Sequence, residues 1–346
     1  MNLVTGGTGL LGSHIVEQLR KRGRAVRALV RKRADTSWLR TQDVELAEGD
    51  VTDAASLDKA CEGVQCIYHA AARVGDWGPW EDFVRITIDG TRNLFDAAER
   101  TGVPRFIHIS SISVYGHVNQ RGLVVDESAP LGVNVHRWSY YTRAKVIAEE
   151  ELWRRHRAGC KVKYTVIRPS WLYGPRDRAT LQRLTGLVRD GKAKLLGDGT
   201  NRLNVVHAAN VAEACILAAD NPAAVGQAYN CSNDGELTQK EYFDMVARSI
   251  GATPVTKKVP FKAAYTAGFL MECFGHLFRK TKPPMITRYA VWLMGRDTYF
   301  SAEKARKELG WNSTIGYREG IPEAIRWLED SKHRRPTGTP AVLAPA

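Results

Sequence analysis

Short apolar runs alternate with amphipathic stretches through the first half of the chain. Residues 2–5, 25–30, 44–47, 66–69, 105–110 and 163–168 read as strands, and 13–22, 54–62, 91–100 and 140–156 as helices. Gly23 stands just past the first helix, where a glycine commonly closes one, and Asp53 is placed to cap the second. Strand–helix alternation of this kind predicts a parallel sheet covered by helices on both faces. Beyond Pro169 the rhythm breaks up, with helices expected at 179–191, 210–219 and 239–250 and with Pro222, Gly235 and Pro254 as punctuation. The expected fold class is α/β. A doubly wound parallel sheet occupies 1–170 and takes up 204–232 again, and a smaller C-terminal α/β substrate subdomain spans most of 171–330. Residues 331–346 hold three prolines and almost no core formers, and are expected to be disordered.

Composition narrows the class. The 346 residues are 44% hydrophobic and 25% charged, the balance of an ordinary soluble globular protein. The chain opens directly on strand-like sequence, leaving no room for a signal peptide. Six cysteines without a CxxC pair point to reduced thiols and a cytoplasmic setting. Nine histidines without HxxxH or HExxH spacing argue against a metal. A net charge of +13 is spread along the chain with no nucleic-acid-reading motif beside it. Attraction of an anionic cofactor and substrate explains it better, and so does peripheral adhesion to an anionic lipid surface.

The first strand runs into Gly6-Gly7-Thr8-Gly9-Leu10-Leu11-Gly12 and then a helix. Glycines there allow a tight turn, close approach of a pyrophosphate and close strand–helix packing, as in a Rossmann dinucleotide fold. The N–H groups of the helix start favour phosphate. Gly6, Gly9, Leu10, Leu11 and Gly12 are thus candidate cofactor contacts. The second strand ends Leu29-Val30-Arg31-Lys32-Arg33, with no acid before Asp35. A carboxylate at that point would repel a 2′-phosphate and a guanidinium would clasp it, so Arg31 favours NADP(H) over NAD(H).

Tyr141 and Lys145 stand four apart at the start of a helix, on one face. A phenol ordinarily titrates near pH 10, and an adjacent ammonium should bring it toward neutrality, fit to exchange a proton with an alcohol or ketone. Tyr140, whose partner four residues on is Ala144, is the lesser candidate. Ser110-Ser111-Ile112-Ser113-Val114-Tyr115-Gly116 follows the fifth strand, at the carboxyl edge where open α/β sheets bind ligands. A hydroxyl there can stabilise developing oxyanion charge.

With GGTGLLG, HAAA, HISSISVYG, YYTRAK, RPSWLYGP and NVVHAANVAEA in place, the chain resembles an extended short-chain dehydrogenase/reductase over about residues 1–330. The resemblance implies hydride transfer with nicotinamide and assigns Ser111, Tyr141 and Lys145 as the catalytic set, Ser113 being second choice and a substrate contact. It places Asp50 and Val51 at adenine, Ala70, Ala71 and Ala72 at the ribose, and Pro169 with Tyr141 and Lys145 at the nicotinamide. Trp171, Tyr173 and the aromatic stretch 261–278 are expected to meet substrate. Where the family often has Asn, this chain has Thr87, which is expected to do structural work only. The family also implies a homodimer through helices near 91–100 and 141–157, with Val146, Ile147 and Leu152 as candidate contacts.

Dehydratases of this type carry Asp-Glu after the catalytic hydroxyl, and here Ile112-Ser113 stands there. The 261–300 segment, rich in Phe, Tyr, Leu and Met, suits a greasy substrate. It is otherwise an ordinary subdomain core or a surface helix pair that touches membrane, its apolar run being too short to span one. This segment, the loop Val74-Gly75-Asp76-Trp77-Gly78-Pro79-Trp80 and the residues after 299 are similar to the 3β-hydroxysteroid dehydrogenase branch and its bacterial 2-alkyl-3-oxoalkanoate reductases. The leading expectation is a ketone–alcohol oxidoreductase on a lipophilic β-keto acid or sterol-like molecule. A nucleotide-sugar 4-epimerase with bound NAD and a non-catalytic NADP(H) sensor are the alternatives.

Overall fold

The strand Asn2–Thr5 lies inside a seven-stranded sheet whose neighbours run, from one edge to the other, Ala228–Cys231, Lys163–Pro169, Arg105–Ile109, Cys66–His69, Asn2–Thr5, Val26–Val30 and Glu45–Glu48. The computed structural model describes residues 1–178, 180–232 and 236–333. Every pairing in this sheet is parallel. The chain walks outward from Asn2–Thr5 to one edge and then returns to build the other side, so the order reverses between Asn2–Thr5 and Cys66–His69. Open α/β sheets hold their ligands in the crevice such a reversal leaves at the carboxyl ends. The strands are apolar on both faces because helices cover both. Ile15, Leu19, Val211, Ile216 and Trp311 fill one side, and Leu57, Leu94, Phe95 and Leu152 the other.

A third core lies under the C-terminal elements and holds Tyr173, Leu181, Val205, Tyr242, Phe243, Ile321 and Leu328. Residues 261–300 form a helix pair, Phe261–Leu277 and Arg288–Gly295, followed by the strand Tyr299–Phe300 beside Val124–Val125. Glu272, buried on the first helix, holds both the backbone N–H and the Nε of Arg288 at 2.7 Å, which clamps the pair together.

Three elements differ from the sequence-based expectation. The first helix begins at Leu10 rather than 13, because the glycine turn is complete at an extended Gly9. The helix of 91–100 is preceded by Trp80–Phe83 and a wide-turned stretch Val84–Asp89 that carries the axis straight into Gly90–Arg100. Tyr317–His333 is helical and packs Ile321, Ile325 and Leu328 into the third core, so 331–333 belong to a helix and not to a disordered tail. Residues 334–346, Gly235 and the first residue of the helix expected at 179–191 lie outside the described residues. Asp53 caps its helix as expected, accepting from Ala55 N–H at 3.2 Å.

All six cysteines are free, four of them buried. Among the described residues no group of three or more His, Cys, Asp or Glu could hold a metal, and no helix is long and apolar enough to cross a membrane.

Candidate active site

The glycine turn shows why its residues must be small. Gly6 sits at φ +69°, and a Cβ there would lie 2.9 Å from the backbone of Ala70 and Ala71. A Cβ on Gly12 would come within 2.2 Å of Gly6 O. Thr5 pins the crevice: its Oγ1 lies 2.8 Å from His69 Nδ1 and accepts from Ala71 N–H at 3.2 Å. The helix Leu10–Lys21 starts with no side-chain cap, leaving its first N–H groups directed at the turn. An uncapped, positively polarised helix end in a cradle that a Cβ would fill fits a dinucleotide pyrophosphate. Ala70, Ala71 and Ala72 are half-buried on the far side of the crevice.

Asp50 accepts from Thr52 N–H at 2.9 Å, and Val51 is buried against Gly90. Arg31, Lys32 and Arg33 are exposed, and Arg31 has no ion-pair partner among the described residues. Asp35, the acid closest to them in sequence, is taken up by Ser37 and by Arg178 at 3.4 Å, which hold its carboxyl below the usual range. The electrostatics of this loop are therefore cationic toward solvent.

The helix Tyr140–Arg157 carries Tyr141 and Lys145 to the same edge. It is built from good helix formers between 144 and 155, and Arg154, Arg155, His156 and Arg157 complement the negative pole of its last turn. Tyr141 is half-buried and Lys145 buried. Burial pushes the Tyr141 phenol up, while a hydrogen bond with the Ser111 side chain pulls it down. The Lys145 ammonium donates to Ile109 O at 2.8 Å. Burial lowers Lys145 to about 8, against the pull of Glu149.

This corrects one expectation. The lysine does not bring the phenol toward neutrality in this structure, because its Nζ is bonded to the sheet edge and desolvation of the phenol wins. Behind the pair, the fully buried Glu149 is bonded to Arg168 Nη2 at 2.5 Å and to Trp153 Nε1 at 3.0 Å, so the acid that supports Lys145 is itself fixed.

Ser111 Oγ accepts from Ser113 N–H at 3.1 Å, which turns the loop after Arg105–Ile109 toward Tyr141. Ser113 is buried, with its hydroxyl unpartnered among the described residues. Thr87 accepts from Arg73 N–H at 2.9 Å through Oγ1, and its carbonyl accepts from Thr91 at 2.6 Å, a structural role as expected. Pro169 ends its strand beside Cys231.

Two substrate expectations change. Tyr173 is 2% exposed, edge-on to His207 in the third core, where it supports packing. Trp171 is half-buried against Tyr242 in the same cluster. Of the proposed dimer contacts, Leu152 is fully buried and Val146 faces its own core, leaving Ile147 exposed.

The wall next to Tyr141 comes from elements that sequence reasoning only partly singled out. Tyr289, on Arg288–Gly295, meets the Tyr141 ring edge-on at 6.1 Å between centroids. Tyr140 packs on Trp80 at 5.5 Å and on His276, and His276 also stacks near Trp77 and Trp138 at 4.5 Å each. Tyr289, Trp292 and Arg296 recur at helical spacing, a pattern that would have placed them on one face.

The NAD dependent epimerase/dehydratase family model matches residues 2–232. The 2-alkyl-3-oxoalkanoate reductase of Stenotrophomonas maltophilia is 30% identical over 325 residues, covering 92% of this chain and 96% of that one. Among solved structures, that of gox2253 superposes with a TM-score of 0.78 at 30% identity, over 96% of this chain and 98% of that chain. MoeE5 in complex with UDP-glucose and NAD does so at 0.72 and 25%, over 96% and 99%. The chain belongs to the NAD dependent epimerase/dehydratase family, within the extended short-chain dehydrogenases/reductases. It is an NAD(P)-dependent oxidoreductase.

Proposed function

We propose that this enzyme interconverts a ketone and a secondary alcohol on a lipophilic substrate, a β-keto acid or sterol-like molecule, with Tyr141 exchanging the proton. The observation that carries the reading is a wall of aromatic rings, with Tyr289 edge-on to the Tyr141 ring at 6.1 Å between centroids and Tyr140 packed on His276. The wall offers apolar burial, and the relative from Stenotrophomonas maltophilia is named for a 2-alkyl-3-oxoalkanoate.

A bound nicotinamide dinucleotide supplies or takes up the hydride. Gly6, Gly9, Leu10, Leu11 and Gly12 hold its pyrophosphate, Asp50 and Val51 its adenine, Ala70, Ala71 and Ala72 its ribose, and Pro169 flanks its reactive ring. Arg31, exposed and without an ion-pair partner among the described residues, selects NADP(H) by clasping the 2′-phosphate. In the reductive direction Tyr141 Oη–H gives its proton to the ketone oxygen as the carbonyl carbon gains hydride, and Ser111 donates to the same oxygen. A phenol held above its ordinary value stays protonated at neutral pH, which suits donation. Lys145 holds the sheet edge at Ile109 and carries the positive charge of the site.

Two partner surfaces accompany this reading. The outer face of Phe261–Leu277 exposes Phe269, Leu270, Phe274 and Leu277, with Phe278 after it, and Arg279, Lys280 and Lys282 stand exposed beside them. Apolar side chains rimmed by cations fit the surface of an anionic bilayer. A homodimer would use the exposed Ile147 on the long helix, and sedimentation equilibrium showing only monomer at micromolar concentration contradicts it.

A 4-epimerase acting on a nucleotide sugar is the second reading, favoured by the likeness to MoeE5 in complex with UDP-glucose. Following NADPH absorbance with β-keto lipids, steroids and sugar nucleotides as separate classes decides between the two. Consumption with the lipids supports the first reading, and turnover of UDP-sugars alone supports the second.

A further inference from the structure

The loop that follows Val26–Val30 holds three cations, Arg31, Lys32 and Arg33, and one acid, Asp35. Where a Rossmann unit reads NAD, a carboxylate near this strand end accepts from the ribose hydroxyls. Beside a 2′-phosphate the same carboxylate repels. Ala34 N–H donates to Arg31 O at 2.9 Å, a turn that folds the loop back and keeps Asp35 close to the strand end. The two carboxylate oxygens of Asp35 are answered differently. Oδ1 accepts from Ser37 N–H at 3.1 Å and from Ser37 Oγ at 2.6 Å, at the start of the short helix Ser37–Arg40. Oδ2 is left to Arg178, whose Nη1 lies 3.4 Å away. The charge of the cofactor loop thus depends on a residue 143 positions further along the chain.

That residue arrives on a fastened strap. Residues 174–178 leave the strand Trp171–Tyr173, whose Tyr173 belongs to the third core, and cross toward the glycine turn. Arg176 sits at φ +77°, a left-handed backbone that a residue with a Cβ keeps only where its surroundings enforce it. Here its Nε donates to Ser13 Oγ at 2.8 Å, and its Nη2 to Glu17 Oε2 at 2.6 Å and to His14 Nδ1 at 2.9 Å. Its Cζ stands 4.6 Å from the centre of the Trp38 ring. His14 is driven to about 3, first by burial and then by the Arg176 charge, and so is neutral. Its Nε2–H donates to Pro175 O at 3.1 Å, which leaves Nδ1 to accept from Arg176. The strap is therefore tied to the helix Leu10–Lys21 and to the helix Ser37–Arg40 at once, with Arg178 two residues past the knot.

We propose that Arg178 is a cofactor-selecting residue that acts through Asp35. It occupies the free edge of that carboxylate, keeps it from the ribose hydroxyls of NAD(H), and leaves Arg31 to face the 2′-phosphate of NADP(H) in a cationic loop. This rests on the NADP(H) reading of Arg31 above. It makes cofactor choice a joint property of the glycine-turn side and of a strap that grows from the third core. The pair itself does little for stability, because its side chains are 52% and 59% exposed, where ion pairs contribute almost nothing. Removing it changes the charge of the loop without loosening the strap, whose ties all run through Arg176 and His14.

The test uses the full-length enzyme with Arg178→Gln, Asp35→Asn and the double variant. NADPH and NADH are titrated by fluorescence at low salt. Adenosine 2′,5′-bisphosphate and adenosine 5′-monophosphate, which differ only in the 2′-phosphate, are titrated by calorimetry. Arg178→Gln should weaken NADPH and the bisphosphate by roughly three- to tenfold, the scale of an uncovered surface charge acting on a phosphate dianion. NADH and the monophosphate should hold their affinity or gain. Asp35→Asn should bind NADPH at least as tightly as the unmutated enzyme, and the double variant should recover what Arg178→Gln lost, since no carboxylate remains to be covered. At about 0.5 M salt the loss in Arg178→Gln should shrink, and its ligand-free Tm should match the parent's.

A double variant as weak for NADPH as Arg178→Gln would make Arg178 a direct ligand of the phosphate and overturn the assignment through Asp35. Equal weakening of both cofactors, or a lowered Tm in Arg178→Gln, would make the pair part of the strap's architecture and overturn it too. A preference for NADPH that survives undiminished in Arg178→Gln defeats the proposal and leaves the NADP(H) reading standing. NADH bound by the unmutated enzyme as tightly as NADPH defeats that reading, and the proposal with it.

Discussion

The half of the molecule around the glycine turn and the half around the helix pair 261–295 solve opposite problems. At the turn, close backbone contacts leave room for nothing but hydrogen at Gly6 and Gly12, and Thr5 and His69 are bonded to each other. At the helix pair, large rings meet at centroid distances of 4.5 to 6.1 Å, the Arg296 guanidinium has no hydrogen-bond partner among the described residues, and Leu277 is 76% exposed. The first region is shaped for a ligand of invariant form, where fixed amides and small residues suffice. The second offers apolar area, which in the proposed reading does the selecting among ligands that differ. In the reading proposed above, the chemistry takes place where they meet, at Tyr141.

Tyr141→Phe breaks the junction without disturbing either region. It should lower kcat by roughly two to four orders of magnitude, the scale of general acid–base catalysis, with cofactor affinity near normal because the turn is untouched. Near-normal turnover in that variant removes Tyr141 from the mechanism.

Arg31→Asp tests the cofactor half alone. Replacing a charge-assisted contact with repulsion should weaken NADPH by about 10- to 150-fold, while NADH changes little. Fluorescence titration reads both, and equal affinity of the unmutated enzyme for the two cofactors ends the NADP assignment.

A smaller effect is expected at the outer face of the cap. Co-sedimentation with phosphatidylglycerol vesicles should exceed that with phosphatidylcholine, and a Leu277→Glu, Phe278→Glu double variant should lose most of the difference. Activity on a short, water-soluble ketone should stay unchanged. Equal partition onto both lipids, or none, contradicts the bilayer contact.

The same contrast explains what could be read in the sequence. The sheet, the turn and the Tyr141/Lys145 pair were legible because each depends on local spacing: strand–turn–helix for the glycines, four residues on a helix for the pair. The state of the pair was not, since the phenol's proton affinity depends on burial and on Lys145 reaching Ile109, thirty-six residues away in sequence. Trp171 and Tyr173 stood in a motif with family precedent, yet their strand lies over the third core, so their rings pack against Tyr242 and His207. Tyr289 and Arg296 acquire meaning only from contacts with Tyr141, Trp292 and Phe300 that close when the cap folds onto the sheet. The helix Tyr317–His333 hid for a related reason: its apolar side chains complete a core whose other members lie at 173–255.

The central claim is hydride transfer to a ketone whose body is buried against the aromatic wall, and a homologous series of β-keto esters tests it most directly. With NADPH and the unmutated enzyme, kcat/KM should rise about fourfold per added methylene, the equivalent of roughly 0.8 kcal/mol of apolar burial each, until the pocket is full and the trend levels. Activity that is flat with chain length, together with ready turnover of a UDP- or GDP-sugar, would contradict the account and leave the epimerase reading in its place.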